Sequence, residues 1–164
     1  MVDMRALLLL ALAAAPAGAQ VDAPTFDWNG GVPAGATLRI DNVDGNIRVA
    51  GTSGSEVRVH GERTHVISGG RALLFAVVKD GDNVTICAYH PGGSCGARGA
   101  HGEGFHIGVG LRSPSADFTV ELPAGIKLAA SSGDGSIDVL DAGADVSASS
   151  GDGSINISGA AGNV

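Results

Sequence analysis

Two aspartates in a repeated heptad are the residues whose type and spacing most clearly suggest chemistry. The heptad SSGDGSI stands at 131–137 and again, eighteen residues later, at 149–155, which places Asp134 and Asp152 at equivalent positions. If the two copies stack, the carboxylates repel each other unless they turn into water or share a cation. Repeated Gly-Asp-Gly also resembles the nonapeptide G-G-x-G-x-D-x-U-x, whose coils bind Ca²⁺. Calcium bound by Asp134 and Asp152 is therefore kept as an alternative.

Catalytic chemistry has less support. Asp138 stands one residue too far along for the calcium motif, and the equivalent positions hold Asn156 and Arg48. No column of acids of the kind used by polysaccharide-acting β-helix enzymes therefore persists along the repeat. The G-x-S-x-G pattern occurs at Ser94, inside the glycine-rich cysteine segment. No helix is predicted after it, so it lacks the strand–turn–helix context of a nucleophile elbow. We predict that the protein is not an enzyme and has no cofactor, and we keep a polysaccharide-acting β-helix enzyme as the alternative.

The two cysteines lie in one short segment, CAYHPGGSC, as Cys87 and Cys95. A close pair in an exported protein predicts a disulfide. His90, His101 and His106 are also metal-ligand types. Their spacings do not give the two tight pairs of a zinc site, so we expect solvated histidines and no bound metal.

An export signal opens the chain. A short start with one arginine is followed by an apolar Leu/Ala run and by Ala17-Gly18-Ala19, which predicts a signal peptide over 1–19 with cleavage between Ala19 and Gln20. The run is shorter than the ~20 residues that span a bilayer, so we expect no transmembrane segment. The protein is predicted to be periplasmic, surface-exposed or secreted. Its net charge of −7 excludes the basic footprint of a nucleic-acid-binding protein.

The elements that hold these residues follow from alternation around the heptads. In LAASSGDGSIDV and VSASSGDGSINI, apolar or small residues occupy every second position, which predicts strands on either side of a Gly-Asp-Gly turn. LRIDNVDGNIRV, at 38–49, is an earlier copy of the same pattern. Each unit buries too few aliphatic side chains to be stable alone, so we expect identical units to stack. The predicted fold is an all-β parallel β-solenoid (β-helix) with coils of about eighteen residues.

The middle of the chain interrupts this pattern. Two apolar runs around Asp80-Gly81-Asp82-Asn83 predict an antiparallel hairpin, followed by the glycine-rich loop that the cysteines tie. We expect residues 20–35 to form a linker and residues 36–164 to form a single solenoid domain. Because no polar cap follows the last coil, we expect a domain truncated at its C-terminal end, or an end-to-end contact there with another molecule.

The segments DFTVELPAGIKLAASSGDGSIDV and LRIDNVDGNIRVAG together resemble the exported bacterial "putative adhesin" family. That family is a domain of unknown function, related to the head domain of "putative" autotransporter adhesins. The resemblance covers about Thr37 to Val164. It implies a parallel β-solenoid outside the cytoplasm and no catalytic residues.

The predicted function is that of a non-enzymatic, exported or envelope-associated β-solenoid, adhesin-like or structural. A calcium-stiffened envelope component is a further alternative. The expected partner is an unknown protein or glycan surface, contacted by an outward ladder of polar side chains. That ladder consists of Ser136, Asp138, Ser154 and Asn156, with the corner acids Asp44, Asp134 and Asp152 beside it.

Overall fold

The computed structural model describes residues 20–65, 73–102 and 114–164, and these residues form an all-β protein, as the sequence predicts. The predicted signal peptide and His106 lie outside the described residues. The described strands are β1 (Gln20–Val21), β2 (Thr25–Gly30), β3 (Thr37–Asp44), β4 (Ile47–Thr52), β5 (Val57–His65), β6 (Leu74–Asp80), β7 (Asn83–Tyr89), β8 (Ser94–Gly96), β9 (Gly99–His101), β10 (Ser115–Pro123), β11 (Lys127–Asp134), β12 (Ile137–Leu140), β13 (Val146–Asp152) and β14 (Ile155–Ser158).

Within the described residues, twelve of these strands form two sheets of six, with the main hydrophobic core between them. Sheet A has the order β1-β6-β7-β3-β11-β13, and sheet B has the order β14-β12-β4-β10-β5-β2. The remaining two strands, β8 and β9, pair with each other as a short antiparallel hairpin, which we call the ribbon.

The prediction of a parallel β-solenoid is wrong, because both sheets are mixed. Antiparallel pairs join β1 to β6 and β6 to β7 in sheet A, and β2 to β5 and β5 to β10 in sheet B. The hairpin predicted around Asp80-Gly81-Asp82-Asn83 is present as β6 and β7, and it belongs to sheet A. Antiparallel strands of this kind cannot be turns of one continuous parallel coil. The protein is therefore neither a β-helix nor a repeat protein in its architecture.

The expected N-terminal linker is also wrong. Within residues 20–35, β1 extends the edge of sheet A and β2 extends the edge of sheet B. Phe26 on β2 is buried and stacks on Phe75, with ring centroids 5.2 Å apart. The segment is part of the core because its aromatic side chain contributes more buried area than any residue of the heptads.

The two heptads do lie side by side in the mixed sheets. Ser131 pairs with Ser149 in sheet A, and Ile137 pairs with Ile155 in sheet B, both in parallel register. The earlier copy on β3 and β4 pairs with β11 and β12 in the same register. We call each strand–corner–strand unit, β3–β4, β11–β12 and β13–β14, a rung.

Serine and glycine at the corners hold the rungs together. Ser132 Oγ donates a hydrogen bond to Gly45 O at 2.7 Å, and Ser150 Oγ donates to Gly135 O at 2.8 Å. Gly135 has a φ of +148°. A Cβ at Gly135 would collide with Gly45 O on the neighbouring rung, so glycine is required there for both reasons. The serines and glycines of the repeated heptad are therefore the residues that let neighbouring rungs contact each other at the corner.

Burial falls across the stack of rungs. Ile137 is fully buried in the rung β11–β12, whereas Ile155, at the same position of the outer rung, is 41% exposed. The opposite end of the core holds three phenylalanines, in which Phe75 meets Phe118 edge-to-face at 5.9 Å. Gly61 on β5 leaves room for these rings, since a Cβ there would lie 2.9 Å from Phe118 Cε1. The core is thus thick at its aromatic end and thin at the outer rung.

Candidate functional site: two outer sheet faces

The outer face of sheet B carries a row of polar side chains that crosses the whole sheet. Strand pairing places each member directly opposite the next, from β14 at one edge to β2 at the other. On the four inner strands β12, β4, β10 and β5, the neighbours of these residues are buried, because alternate residues point to opposite faces of a sheet. We call this outer face the polar face. Its row consists of Asn156, Asp138, Arg48, Thr119, His60 and Asp27.

The structure places the four predicted ladder residues in two different settings. Asp138 and Asn156 lie in the row, and Asn156 Nδ2 donates a hydrogen bond to Asp138 Oδ1 at 2.9 Å. Ser136 and Ser154 lie in the corners before β12 and β14, outside the strands. Their carbonyl oxygens accept hydrogen bonds from the preceding rung, from Ile47 N and Ile137 N. Of the four predicted ladder residues, two therefore belong to the surface row and two belong to the corners between strands.

Sequence reasoning missed most of the row. Arg48 could be aligned with Asp138 through the repeat pattern, and the structure puts the two opposite each other. Thr119, His60 and Asp27 come from β10, β5 and β2, which lack the heptad. His60 Nδ1 and Asp27 Oδ1 are 2.7 Å apart, and both side chains are exposed. Asp27 fell within the expected linker, and no sequence signal identified which strands would be neighbours.

Charges on the polar face are partly paired. Next to the row, Arg58 Nη1 lies 3.5 Å from Glu121 Oε2 across β5 and β10, with both side chains at least half exposed. Exposed pairs of this kind contribute little to stability. Among the ion pairs of the described residues, none involves Arg48. The guanidinium of Arg48 is thus an exposed cation near the middle of the face.

The corner acids line up as the repeat predicts. Asp44, Asp134 and Asp152 end β3, β11 and β13 and stand in register with one another. The pKa of Asp44 is raised, first by burial and then by the neighbouring charge of Asp134. In the part of the chain that the structure describes, no three His, Cys, Asp or Glu side chains converge as a metal site requires. Calcium binding stays an untested alternative, which melting curves with calcium and with a chelator would test.

The cysteines hold the ribbon on the outer face of sheet A. Cys87 on β7 and Cys95 on β8 form a disulfide with an S–S distance of 2.03 Å. Under the ribbon, Ala76, Cys87 and Tyr89 form a small second cluster of buried residues. Because both sulfur atoms are in the disulfide, Cys87 and Cys95 are not available as thiolate ligands for zinc. His90 follows β7, whereas His101 ends β9 of the ribbon, and the pKa of His90 is lowered by burial.

The ribbon covers one half of sheet A and leaves the other half open. Where it ends, a cleft of about 310 Å³ separates it from the serines and glycines of β11 and β13. Asp41 on β3 stands at this boundary, with Cys87 opposite it on the covered side and Ser131 on the open side. Ala100 N of the ribbon donates a hydrogen bond to Asp41 Oδ2 at 3.1 Å. We call this space the ribbon cleft.

No protein-family model and no curated protein matches the chain. A solved structure of a "putative cell adhesion protein" from Clostridium sporogenes is similar, with a TM-score of 0.45 and 9% sequence identity. The likeness covers 79% of this chain and 58% of that chain, so this chain spans little more than half of that protein's length. A likeness at this level carries no argument about function, and the family resemblance continues to rest on the sequence motifs.

Among the described residues, no helix is long and apolar enough to cross a membrane. Leu140, at the end of β12, and Ile155, on the outer rung, are exposed at 53% and 41%. The expected end-to-end contact at this edge remains a prediction.

Proposed function

We propose that this protein is an exported, non-enzymatic binding or structural protein of the adhesin-like class, which contacts a protein or glycan surface through the polar face. Export is supported by the predicted signal peptide and by the disulfide between Cys87 and Cys95, since disulfides persist in oxidising compartments. The adhesin-like class is supported by the sequence motifs.

The observation that carries the proposal is the polar row that runs without interruption across all six strands of sheet B. Adjacent strands are about 4.8 Å apart, so the row is about 24 Å long, and the face extends about 15 Å along the strands. This footprint of about 350 Å² is less than half of the ~800 Å² that each partner buries in a standard interface. We therefore expect weak binding by each molecule and strong attachment only where many molecules bind one surface.

The test is binding of the fluorescently labelled protein to purified cell-envelope fragments and to a glycan array. Arg48→Glu reverses the exposed cation near the middle of the face, and adding Thr119→Glu places a second negative charge beside it. Both side chains are exposed, so the fold should persist. Lys79→Glu on β6 is the matched control, because Lys79 is an exposed cation outside sheet B.

The proposal predicts that the Arg48→Glu, Thr119→Glu variant loses binding while Lys79→Glu binds like the wild type. Equal binding by all three proteins would show that the polar face is not the contact surface. Incubation of the same glycans with the protein tests the enzyme alternative. Turnover that disappears in Asp138→Asn or Asp41→Asn would overturn the non-enzymatic assignment.

A further inference from the structure

The ribbon cleft is a second surface with the features of a binding site, on the sheet opposite to the polar face. It is a concave space of about 310 Å³, at the lower end of the ~300–1,000 Å³ range of small-molecule sites. Its size limits an occupant to one small molecule or one unit of a polymer. Its polar lining includes side chains or backbone of Asp41, His90, Gly93, His101, Ser131 and Gly133.

Asp41 is the charged group of the cleft. Its carboxylate is half-buried, and no ion pair involves it among the described residues. Burial raises the pKa of Asp41, while the Ala100 N–H and the charges of Arg39 and His101 act in the opposite direction. A carboxylate has two oxygens with about four acceptor positions, and the ribbon backbone uses one of them. Asp41 can therefore accept hydrogen bonds from a ligand while it keeps its bond to Ala100.

The ribbon fixes the position of this carboxylate. Gly99 has a φ of +113°, and a Cβ there would collide with Asp41 Oδ2. The glycine thus lets the ribbon backbone approach the carboxylate closely. Cys95, two residues before the Ala97-Arg98 turn of the ribbon, is held to Cys87 next to Asp41. The cleft wall is consequently held in place by a covalent bond and by a hydrogen bond.

The lining indicates the chemical class of the ligand. Asp41 disfavours an anion, and the mixture of a carboxylate, the Ser131 hydroxyl, two histidines and glycine backbone disfavours a purely apolar molecule. A metal ion is disfavoured because no three ligating side chains converge within the described residues. Neutral hydroxyl groups satisfy all three conditions, since they donate to a carboxylate and accept from a peptide N–H.

We propose that the ribbon cleft binds one sugar residue of a glycan, with Asp41 accepting hydrogen bonds from its hydroxyl groups and Ser131 contacting it from the floor of the cleft. This site is separate from the polar face, which lies on the outer side of the other sheet.

The experiment is a titration of the oxidised full-length protein, followed by amide NMR shifts, with the methyl glycosides of glucose, galactose, mannose and N-acetylglucosamine. We expect saturable shifts at Ala100, Ser131 and Gly133 with at least one of them. Asp41→Asn keeps an acceptor for Ala100 but removes the charge, and charge-assisted hydrogen bonds are roughly twice as strong as neutral ones. Its affinity should fall about five- to tenfold. Asp82→Asn, the same change at an exposed turn residue outside both the cleft and the polar face, should leave the affinity unchanged.

A second variant decides the matter if Asp41→Asn alters the ribbon. Ser131→Leu fills the cleft from an outward position of β11 and should abolish the shifts. Ser147→Leu, an outward serine on β13 outside the cleft, is its control. Absence of saturable shifts with every glycoside, or equal shifts in Ser131→Leu and the wild type, would overturn the site. Tighter binding of ethanolamine than of every glycoside would overturn the carbohydrate class. None of these results bears on the polar face, which Arg48→Glu tests separately.

Discussion

The two ends of the sandwich are stabilised in different ways. At one end, the antiparallel strands β2, β5 and β6 enclose Phe26 and Phe75, which pack with Phe118. At the other end, β11 to β14 contain no aromatic residue. Their strands are parallel, and serine hydroxyls at the corners bond to the carbonyls of the preceding rung. One end relies on buried aromatic area, and the other relies on register and on corner hydrogen bonds.

This difference explains where each surface of the protein is found. The regular end supplies flat strands, and so it provides half of the polar face and the open side of the ribbon cleft. The aromatic end supplies the rest of the polar face, with His60 and Asp27, while β7 carries the cysteine that holds the ribbon. Both proposed surfaces therefore lie across the boundary between the two ends.

The largest expected effect is at the aromatic end. Phe118→Ala removes a fully buried ring that contacts Phe75 edge-to-face. We expect the free energy of unfolding to fall by about 3–5 kcal/mol, from lost burial and the cavity left behind. Urea denaturation followed by circular dichroism measures it. Phe118→Leu, which keeps most of the volume, should lose clearly less, and an equal loss would show that the shape of the ring matters more than the buried volume.

A matched pair of isoleucines tests the regular end. Ile137→Ala removes a fully buried side chain and should cost about 2–5 kcal/mol. Ile155→Ala changes the same position of the outer rung, where the side chain is 41% exposed, and should cost less than half as much. Denaturant midpoints of the two variants give the comparison directly. Equal losses would mean that something covers the outer rung in solution.

Removal of the disulfide tests how much the ribbon depends on a covalent tie. The bridge closes a loop over a sequence separation of 8 residues. A loop of that length predicts a loss of about 2–3 kcal/mol when Cys87 and Cys95 are both changed to serine. Hydrogen exchange at Ala100 should accelerate, because the ribbon loses its covalent anchor. Exchange at Val59, in sheet B, is the control and should change only as much as global stability does.

The smallest expected effect is a gain in stability, from the substitution Asp41→Asn. Folding raises the pKa of Asp41, chiefly by burial, so the folded protein holds the proton of this carboxyl more tightly than the unfolded chain does. Ionised Asp41 therefore lowers stability at neutral pH, and this cost disappears as the pH falls through the raised pKa to below the ordinary value. We expect Asp41→Asn to be slightly more stable than the wild type at pH 7.

Thermal melts of both proteins across this pH range measure the effect. The difference should shrink on acidification, since the wild-type carboxyl becomes neutral as well. A variant that is less stable than the wild type at every pH would show that the Ala100 N–H and the charges of Arg39 and His101 outweigh burial.

The parts of the fold that sequence reasoning found are those encoded locally. Asp80-Gly81-Asp82-Asn83 marked the turn between β6 and β7, because turn residues between two apolar runs specify a hairpin. The heptads marked equivalent positions, and Ser131 and Ile137 pair with their copies. The solenoid was wrong because it extended this local regularity to the whole of residues 36–164, although β5 pairs antiparallel with β10 and with β2, and β6 pairs antiparallel with β1.

The difference between local and long-range information also explains which surface residues were predicted and which were missed. Asp138 and Asn156 were identified because the repeat aligns them. His60 and Asp27 were not, because β2 and β5 are some thirty residues apart and share no motif. No motif or residue spacing in the sequence indicated that Asp41 would border a binding site. Its significance comes from the ribbon, which reaches it from residues about sixty positions later in the chain.

The sequence by itself determined that the repeats and the hairpin form strands, where the heptads turn and which residues of the repeat strands, such as Asp138 and Asn156, face outward. These features depend on alternation and on glycine at crowded corners, both of which are properties of a few neighbouring residues. Only the tertiary structure decided which strands lie side by side, and therefore that six separate polar residues form one row and that Asp41 borders a cleft. Strand pairing is chosen by burial of the whole core, and the phenylalanines that dominate this burial lie far from one another in the chain.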